Sequence, residues 1–228
     1  KILITTHTNP DGDAIGASLA LARYLRKKNH IVRVMAPDPF PDFLAWMPGC
    51  GDYLIFTDKR DECITAIREA DMIIAADFNN LSRLNEAEEF VRQSGAIKVL
   101  IDHHLYASDI FDLKISISRT SSTSELVYNL IESMGDLALL DREIAECLYA
   151  GIITDTGSLS YSCNYVKTYQ IIAELYRLGI DGEHLHRLIY DTFSESRLRL
   201  LGFSISDQLV VLPEFHTAYI TLSKEDLK

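Results

Sequence analysis

Four apolar runs in this chain each end in a short segment of acidic and histidine residues, and that pattern restricts the fold more than any other feature. The segments are His7-Thr8-Asn9-Pro10-Asp11-Gly12-Asp13, Ala76-Asp77-Phe78, Asp102-His103-His104 and Thr154-Asp155-Thr156-Gly157. The runs before them cover residues 1–5, 72–75, 99–101 and 150–153. The first three runs read as buried parallel strands; the fourth is either another strand or the end of a helix. In an open parallel sheet every strand releases the chain at the same edge, where ligands bind. Segments far apart in sequence are therefore expected to converge on one cleft. They bring two imidazoles (His7, His103) and four carboxylates (Asp11, Asp13, Asp77, Asp155) to liganding positions, with Asp102 and His104 alongside. A bare cluster of carboxylates repels itself, and divalent cations are its natural neutraliser. The pattern reads as a metal site.

The rest of the chain supports that architecture. Strand-like runs recur at residues 2–6, 31–36, 53–56, 72–76 and 98–102, with helical patterns at 14–28, 60–70 and 86–94. The first helix carries Ile15, Leu19, Leu21 and Leu25 on one face and closes on the basic turn Arg26-Lys27-Lys28, which suits a helix C-terminus. This alternation predicts an α/β fold: a doubly wound, mainly parallel sheet with flanking helices. A helical section follows at 125–134, 141–150, 167–178 and 183–190, the first helix opened by a Ser122/Glu125 capping box. Residues 194–206 predict a connecting helix. Residues 209–212 and 217–222, separated at Pro213, predict two strands that begin a second α/β domain. That domain is expected to be cut off at Lys228, and residues are expected to precede Lys1, which already lies in a strand pattern.

Composition narrows the function. A chain of 228 residues that is 47% hydrophobic can bury a full core. Its net charge of −11 argues against the basic face that long nucleic acid requires, yet leaves room for a short phosphorylated substrate held by metals and a few local cations. Cys50, Cys63, Cys147 and Cys163 form no C-x-x-C pair, so free thiols in a reducing compartment are expected. No apolar run approaches the ~20 residues of a membrane span, and no signal-peptide pattern is visible. The expected location is the cytoplasm, with no membrane partner.

Each segment has a plain structural alternative. Asp11 and Asp13 could form an Asx-turn in which Asp13 caps a helix starting at Ala14. His7 four residues earlier favours coordination, because imidazole with carboxylate suits transition metals. Asp77 alone says little, since Asp often ends a strand at a turn. Adjacent histidines at a strand end rarely serve packing; as neighbours they diverge, so one should ligate and the other face a substrate. Asp155 sits in a Thr/Gly-rich turn. Residues 120–124 could bind an anion through backbone amides or simply cap a helix. Arg119 could offer a cation near the cleft.

The ordered set H-x-x-P-D-G-D-A-I-G-A-S, a strand-terminal Asp, D-H-H and T-D-T-G-S resembles the DHH phosphoesterase family, over roughly residues 1–190. The resemblance implies two divalent ions, with manganese the family's usual metal. It places His7, Asp11 and Asp77 on one ion and Asp13, Asp77, His103 and Asp155 on the other, so that Asp77 bridges them. His104 would face the scissile phosphate as a catalytic and substrate-binding group, Asp102 would orient the histidines, and Arg119 is the further candidate for substrate binding. The resemblance also implies a catalytic domain at 1–190, a connecting helix at 191–207 and the start of a C-terminal substrate-binding domain at 208–228. The first motif is similar to the small-substrate branch, the RecJ-related nanoRNases and 3′-phosphoadenosine 5′-phosphate phosphatases. The implied substrates are short oligoribonucleotides, linear dinucleotides or that nucleotide, with no long duplex nucleic acid and a homodimer as an open option. A pyrophosphatase or RecJ-like single-strand exonuclease is the alternative within catalysis, and a non-catalytic nucleotide-binding regulator the alternative outside it. In one place the chain departs from the family: Leu159-Ser160 stands where relatives often carry Phe-Arg.

Overall fold

The computed structural model describes residues 1–227. Six strands form one parallel sheet: β1 (Ile2–Thr5), β2 (Val32–Ala36), β3 (Tyr53–Ile55), β4 (Met72–Ala76), β5 (Ile97–Asp102) and β6 (Leu113–Ser116). Their spatial order is β3-β2-β1-β4-β5-β6. The central strands are almost purely apolar because both faces of the sheet are covered. Register is continuous across the centre, with Thr5 beside Met35 on one side and Ala75 on the other. The order reverses between β1 and β4, so their C-terminal ends flank the crevice where doubly wound sheets hold ligands.

One face is covered by α2 (Arg60–Glu69), a 3-10 segment (Leu81–Ala87) and α3 (Glu88–Gln93). Leu3, Met35, Ile73 and Leu100 of the strands meet Cys63 and Ile67 of α2 and Leu84 and Val91 beyond. The other face carries α1 (Gly12–Lys27), α4 (Thr123–Ser133) and α5 (Arg142–Asp155), which pack on one another. Helix α1 is buried from Gly12 to Ala22. It crosses α5 through glycines: a Cβ at Gly12 would strike the Thr154 side chain, and one at Gly16 the Cys147 carbonyl. Helices α6 (Val166–Arg177) and α7 (Gly182–Tyr190) complete this part of the chain. All four cysteines are free and buried. No helix among the described residues is long and apolar enough to cross a membrane.

The chain divides into two compact units, at Ile189 and Tyr190. The second contains α8 (Glu195–Ser206) and an antiparallel hairpin of β7 (Leu209–Leu212) and β8 (Thr217–Ile220). Its turn is Pro213-Glu214-Phe215, followed by His216 in the left-handed conformation.

Several local expectations change. Helix α1 begins at Gly12 rather than Ala14, and its cap is Asp11, not Asp13: Asp11 Oδ1 accepts from the Asp13 and Ala14 amides at 3.1 and 3.0 Å. The helix expected over 86–94 is present as the shorter α3, preceded by a 3-10 segment kinked at Asn85 (φ 49°, ψ −125°). Strand β6 was not legible, because it is an edge strand with only Ile115 half-buried. Ser122 caps α4 by accepting from the Glu125 amide at 3.1 Å, but the capping box does not close. The buried Glu125 carboxylate instead accepts from Ser121 and Thr168, each at 2.6 Å.

Candidate metal centre

All four sequence segments meet at the carboxyl edge of the sheet. His7 follows β1, Asp77 follows β4, and His103 and His104 follow β5, while the fourth run is the end of helix α5, whose last residue is Asp155. Asp11 and Asp13 lie on the turn into α1 and on its first turn. Asp77 takes a left-handed φ of 70°, a strained conformation that Asp tolerates better than most residues and that re-aims its carboxylate where the strand ends.

Two donor sets result. His7, Asp11 and Asp77 form one, and Asp13, His103 and Asp155 the other, with the ligand atoms of each set within 4.8 Å of one another. Asp77 faces both. Its Oδ2 lies 3.7 Å from His7 Nε2 and its Oδ1 lies 3.5 Å from His103 Nε2, which is also 3.4 Å from Asp155 Oδ2.

Surrounding hydrogen bonds hold these groups in place. His7 Nδ1 lies 2.7 Å from the Thr8 carbonyl; in the tautomer with its proton on Nδ1 it donates there and leaves Nε2 free to ligate. Asp13 accepts from the Thr123 and Ser124 amides at 2.6 and 2.9 Å. The anion at the α4 N-terminus is thus a side chain of the protein itself, which resolves the expectation for residues 120–124. Thr123 also donates its hydroxyl to Asp77 Oδ1 at 2.8 Å. Gly151 of α5 permits this convergence: a Cβ there would collide with the Ser124 hydroxyl and Asp13 Oδ1.

His103 and His104 diverge as adjacent residues must, their rings edge-on at 62°. His104 Nδ1 hydrogen-bonds Asp102 Oδ1 at 2.7 Å, while Asp102 is fully buried. His104 also joins a third cluster with Asp77 and His103, but this Nδ1, 3.9 Å from Asp77, is already engaged by Asp102.

The electrostatics are those of a site that wants cations. Burial first, then the charges of Asp13 and Asp11, raises the Asp77 carboxyl well above its ordinary range. Burial likewise raises Asp13, against the opposing bond from Ser124. Asp155 is pushed up to about 7, by burial and then by Asp13 and Asp11. Burial lowers the His103 imidazole, and the bond to Asp102 raises His104. Imidazole and carboxylate donors on buried, mutually repelling acids fit divalent transition-metal ions.

Sequence reasoning missed Thr123, hidden in a Ser/Thr run that reads as a plain cap, and Arg83. Arg83 Nη2 lies 3.2 Å from His7 Nδ1, and its charge reaches His104. It has no carboxylate partner among the described residues. Nothing in the local sequence Leu81-Ser82-Arg83-Leu84 marks it. Arg119 is exposed in the loop before α4. Residues 157–159 all adopt left-handed φ, Leu159 at 62°.

Together the parallel sheet and the site define an α/β protein with a candidate metal centre at the carboxyl edge of its sheet. A family model described as the N-terminal domain of the DHH family matches residues 1–152, and the chain belongs to that family. Over 231 residues it is 29% identical to the bifunctional oligoribonuclease and PAP phosphatase NrnA of Bacillus subtilis, covering 100% of this chain and 68% of that protein. It is 31% identical to the protein of the same description from Thermus thermophilus, over 78% of this chain and 50% of that one. Among solved structures, an exopolyphosphatase-related protein from Bacteroides fragilis is 45% identical at a TM-score of 0.96, covering 99% of this chain and 66% of that chain. The chain therefore spans between half and about two thirds of these relatives.

Proposed function

We propose that this chain is the catalytic portion of a metal-dependent phosphoesterase that hydrolyses short oligoribonucleotides, linear dinucleotides or 3′-phosphoadenosine 5′-phosphate. The observation that carries the reading is the Asp77 carboxylate, one oxygen of which faces each imidazole–carboxylate set. His7, Asp11 and Asp77 would hold one ion and Asp13, Asp77, His103 and Asp155 the other; the mixed donor set suits manganese or zinc, and manganese is proposed because it is the usual metal of the family the chain belongs to. Such a pair supplies Lewis acidity and a water that is nucleophilic at neutral pH.

The chain's own groups do the rest. His104, fixed by Asp102, presents its free Nε2 to the phosphoryl oxygen that gains charge. Arg83 beside His7, and Arg119 in the loop leading to α4, supply positive charge for the substrate's phosphates in an otherwise acidic chain. The α1–α4–α5 packing around Gly151 keeps Asp13 fixed. All six candidate ligands are present, which favours catalysis over a regulator that has kept only the fold. We assign residues 1–190 to the catalytic domain, 191–207 to a connecting helix and 208–228 to the beginning of a substrate-binding domain, with a cytoplasmic location.

The test is an assay of the full-length protein, with and without manganese, on di- and triribonucleotides, longer RNA, 3′-phosphoadenosine 5′-phosphate, pyrophosphate and inorganic polyphosphate. Polyphosphate is included because the Bacteroides fragilis relative is described as exopolyphosphatase-related. Preference for the short nucleotides supports the reading; turnover of pyrophosphate or polyphosphate alone overturns it.

A further inference from the structure

We propose that a cleft next to the metal centre is a nucleobase subsite. The cleft, about 380 Å³, lies beyond the ends of β2 and β3 against the Leu81–Ala87 segment. Its size is that of small-molecule sites. Thr8, the neighbour of His7, joins the two places: its hydroxyl donates to Asp38 and accepts from Asn85 Nδ2 at 2.9 Å, and both Asp38 and Asn85 line the cleft. One stretch of chain serves both places, since Arg83 touches His7 while Leu84, Asn85 and Glu86 line the cleft.

The lining selects a flat, uncharged heterocycle. Phe56 and Leu84 are apolar and buried. The Arg60 guanidinium lies 5.0 Å from the Phe56 ring centroid and 5.6 Å from that of Phe90, a planar cation braced by two aromatic rings. Bases stack on such guanidinium planes. Arg60 and Glu86 neutralise one another as an ion pair, so the charge left in the lining is the Asp38 carboxylate, which disfavours a phosphate. The Asp38 and Glu86 carboxylates are acceptors for the exocyclic amine of a base such as adenine. Asn85 holds the kinked backbone at φ 49°, ψ −125°, the kind of strain that accumulates at ligand sites. A base in the cleft leaves its phosphate to pass Thr8 toward Arg83 and the metal centre. Choice of dinucleotide as substrate rests on the phosphoesterase reading; the binding of a base does not.

The test uses the full-length protein, a diadenylate, and the same compound with one nucleoside replaced by an abasic tetrahydrofuran. Wild type should favour the natural compound by about tenfold or more in kcat/KM, the usual worth of one stacked base. Thr57→Trp fills the cleft from an exposed position. It should erase the preference while leaving cleavage of the abasic compound within about twofold of wild type, roughly 0.4 kcal/mol. Equal loss on both compounds, or on neither, overturns the proposal. Binding is read separately by saturation-transfer NMR from the metal-free protein to adenosine, with ribose 5-phosphate as control. Transfer to adenosine that Thr57→Trp abolishes and Glu86→Gln weakens severalfold supports the subsite; transfer unchanged in both variants, or absent from wild type, overturns it. If wild type binds adenosine in the cleft but cleaves no dinucleotide, the phosphoesterase reading fails and the subsite stands.

Discussion

Thr123 donates its hydroxyl to Asp77 Oδ1 across 2.8 Å, so the first turn of α4 aims the acid that ends β4. The same Asp77 oxygen faces His103. Thr123→Val keeps the shape and removes the bond, leaving a buried carboxylate oxygen short of a donor. The expected cost is about 1–2 kcal/mol in metal binding, or roughly five- to thirtyfold in affinity. Asp77→Ala should go further, halving the metal stoichiometry or worse and abolishing turnover. Titration calorimetry with manganese reads both variants.

His104 should serve chemistry without retaining metal. Its Nδ1 is committed to Asp102, so His104→Ala should leave metal content unchanged while turnover falls by roughly 10²-fold or more. Asp102→Asn should give a smaller loss on the same step, and the double variant little beyond His104→Ala alone, since the two act as one unit. Metal analysis beside single-turnover kinetics separates these outcomes. Loss of an ion from His104→Ala would reverse the roles given to the two histidines.

Metal loading should release protons near neutrality. The Asp155 carboxyl, ordinarily at 3.8, sits at about 7 in the folded chain, and Asp13 and Asp77 are raised by the same burial. Because the folded state holds the proton more tightly, the stability contributed by Asp155 is complete below about pH 3.8 and is lost as pH rises through about 7. The metal-free protein should therefore be less stable at pH 8 than at pH 6, as far as this cluster governs it. Manganese should reverse that trend, since ligation needs the deprotonated acids. Calorimetry at pH 6.5 in buffers of differing ionisation enthalpy counts the protons; a binding heat independent of buffer would contradict the assignment.

Gly151→Ala should damage the centre from a position that offers no ligand. The added methyl meets the Ser124 hydroxyl and Asp13 Oδ1, so α5 must shift away from α4. Overpacking of this kind costs about 1–3 kcal/mol, and here it should weaken the Asp13–His103–Asp155 set more than the His7 set. Thermal melting with and without manganese measures the first effect, and titration of the two sites the second.

The sequence made the sheet and the candidate ligand set legible for the same reason: a strand buried on both faces is an unbroken apolar run, and the residue that ends it stands out. Strands β1, β2, β4 and β5 and the ends carrying His7, Asp77 and His103 follow from that contrast. Strand β6 did not, since an edge strand with exposed Lys114 and Ser116 lacks the contrast. Asp13 reads as the cap because either acid suits an Asx-turn; the buried amides of Thr123 and Ser124, far along the chain, draw Asp13 away and leave the cap to Asp11. Arg83 was silent because its role depends on the turn at Asn85, which carries no glycine or proline to announce it.

Asp155 reaches the centre from a helix, whereas His7, Asp77 and His103 reach it from strand tails. An ion held among them would rivet two layers that otherwise meet through side-chain packing and the Thr123–Asp77 hydrogen bond. Its release would free α5 at the end where Thr154 closes on Gly12. The metal concentration around the protein would then set how firmly its helical layer stays seated, adding stability in proportion to RT ln(1 + [metal]/Kd). In this molecule, starvation for the ion would be felt as loosening before it is felt as lost activity.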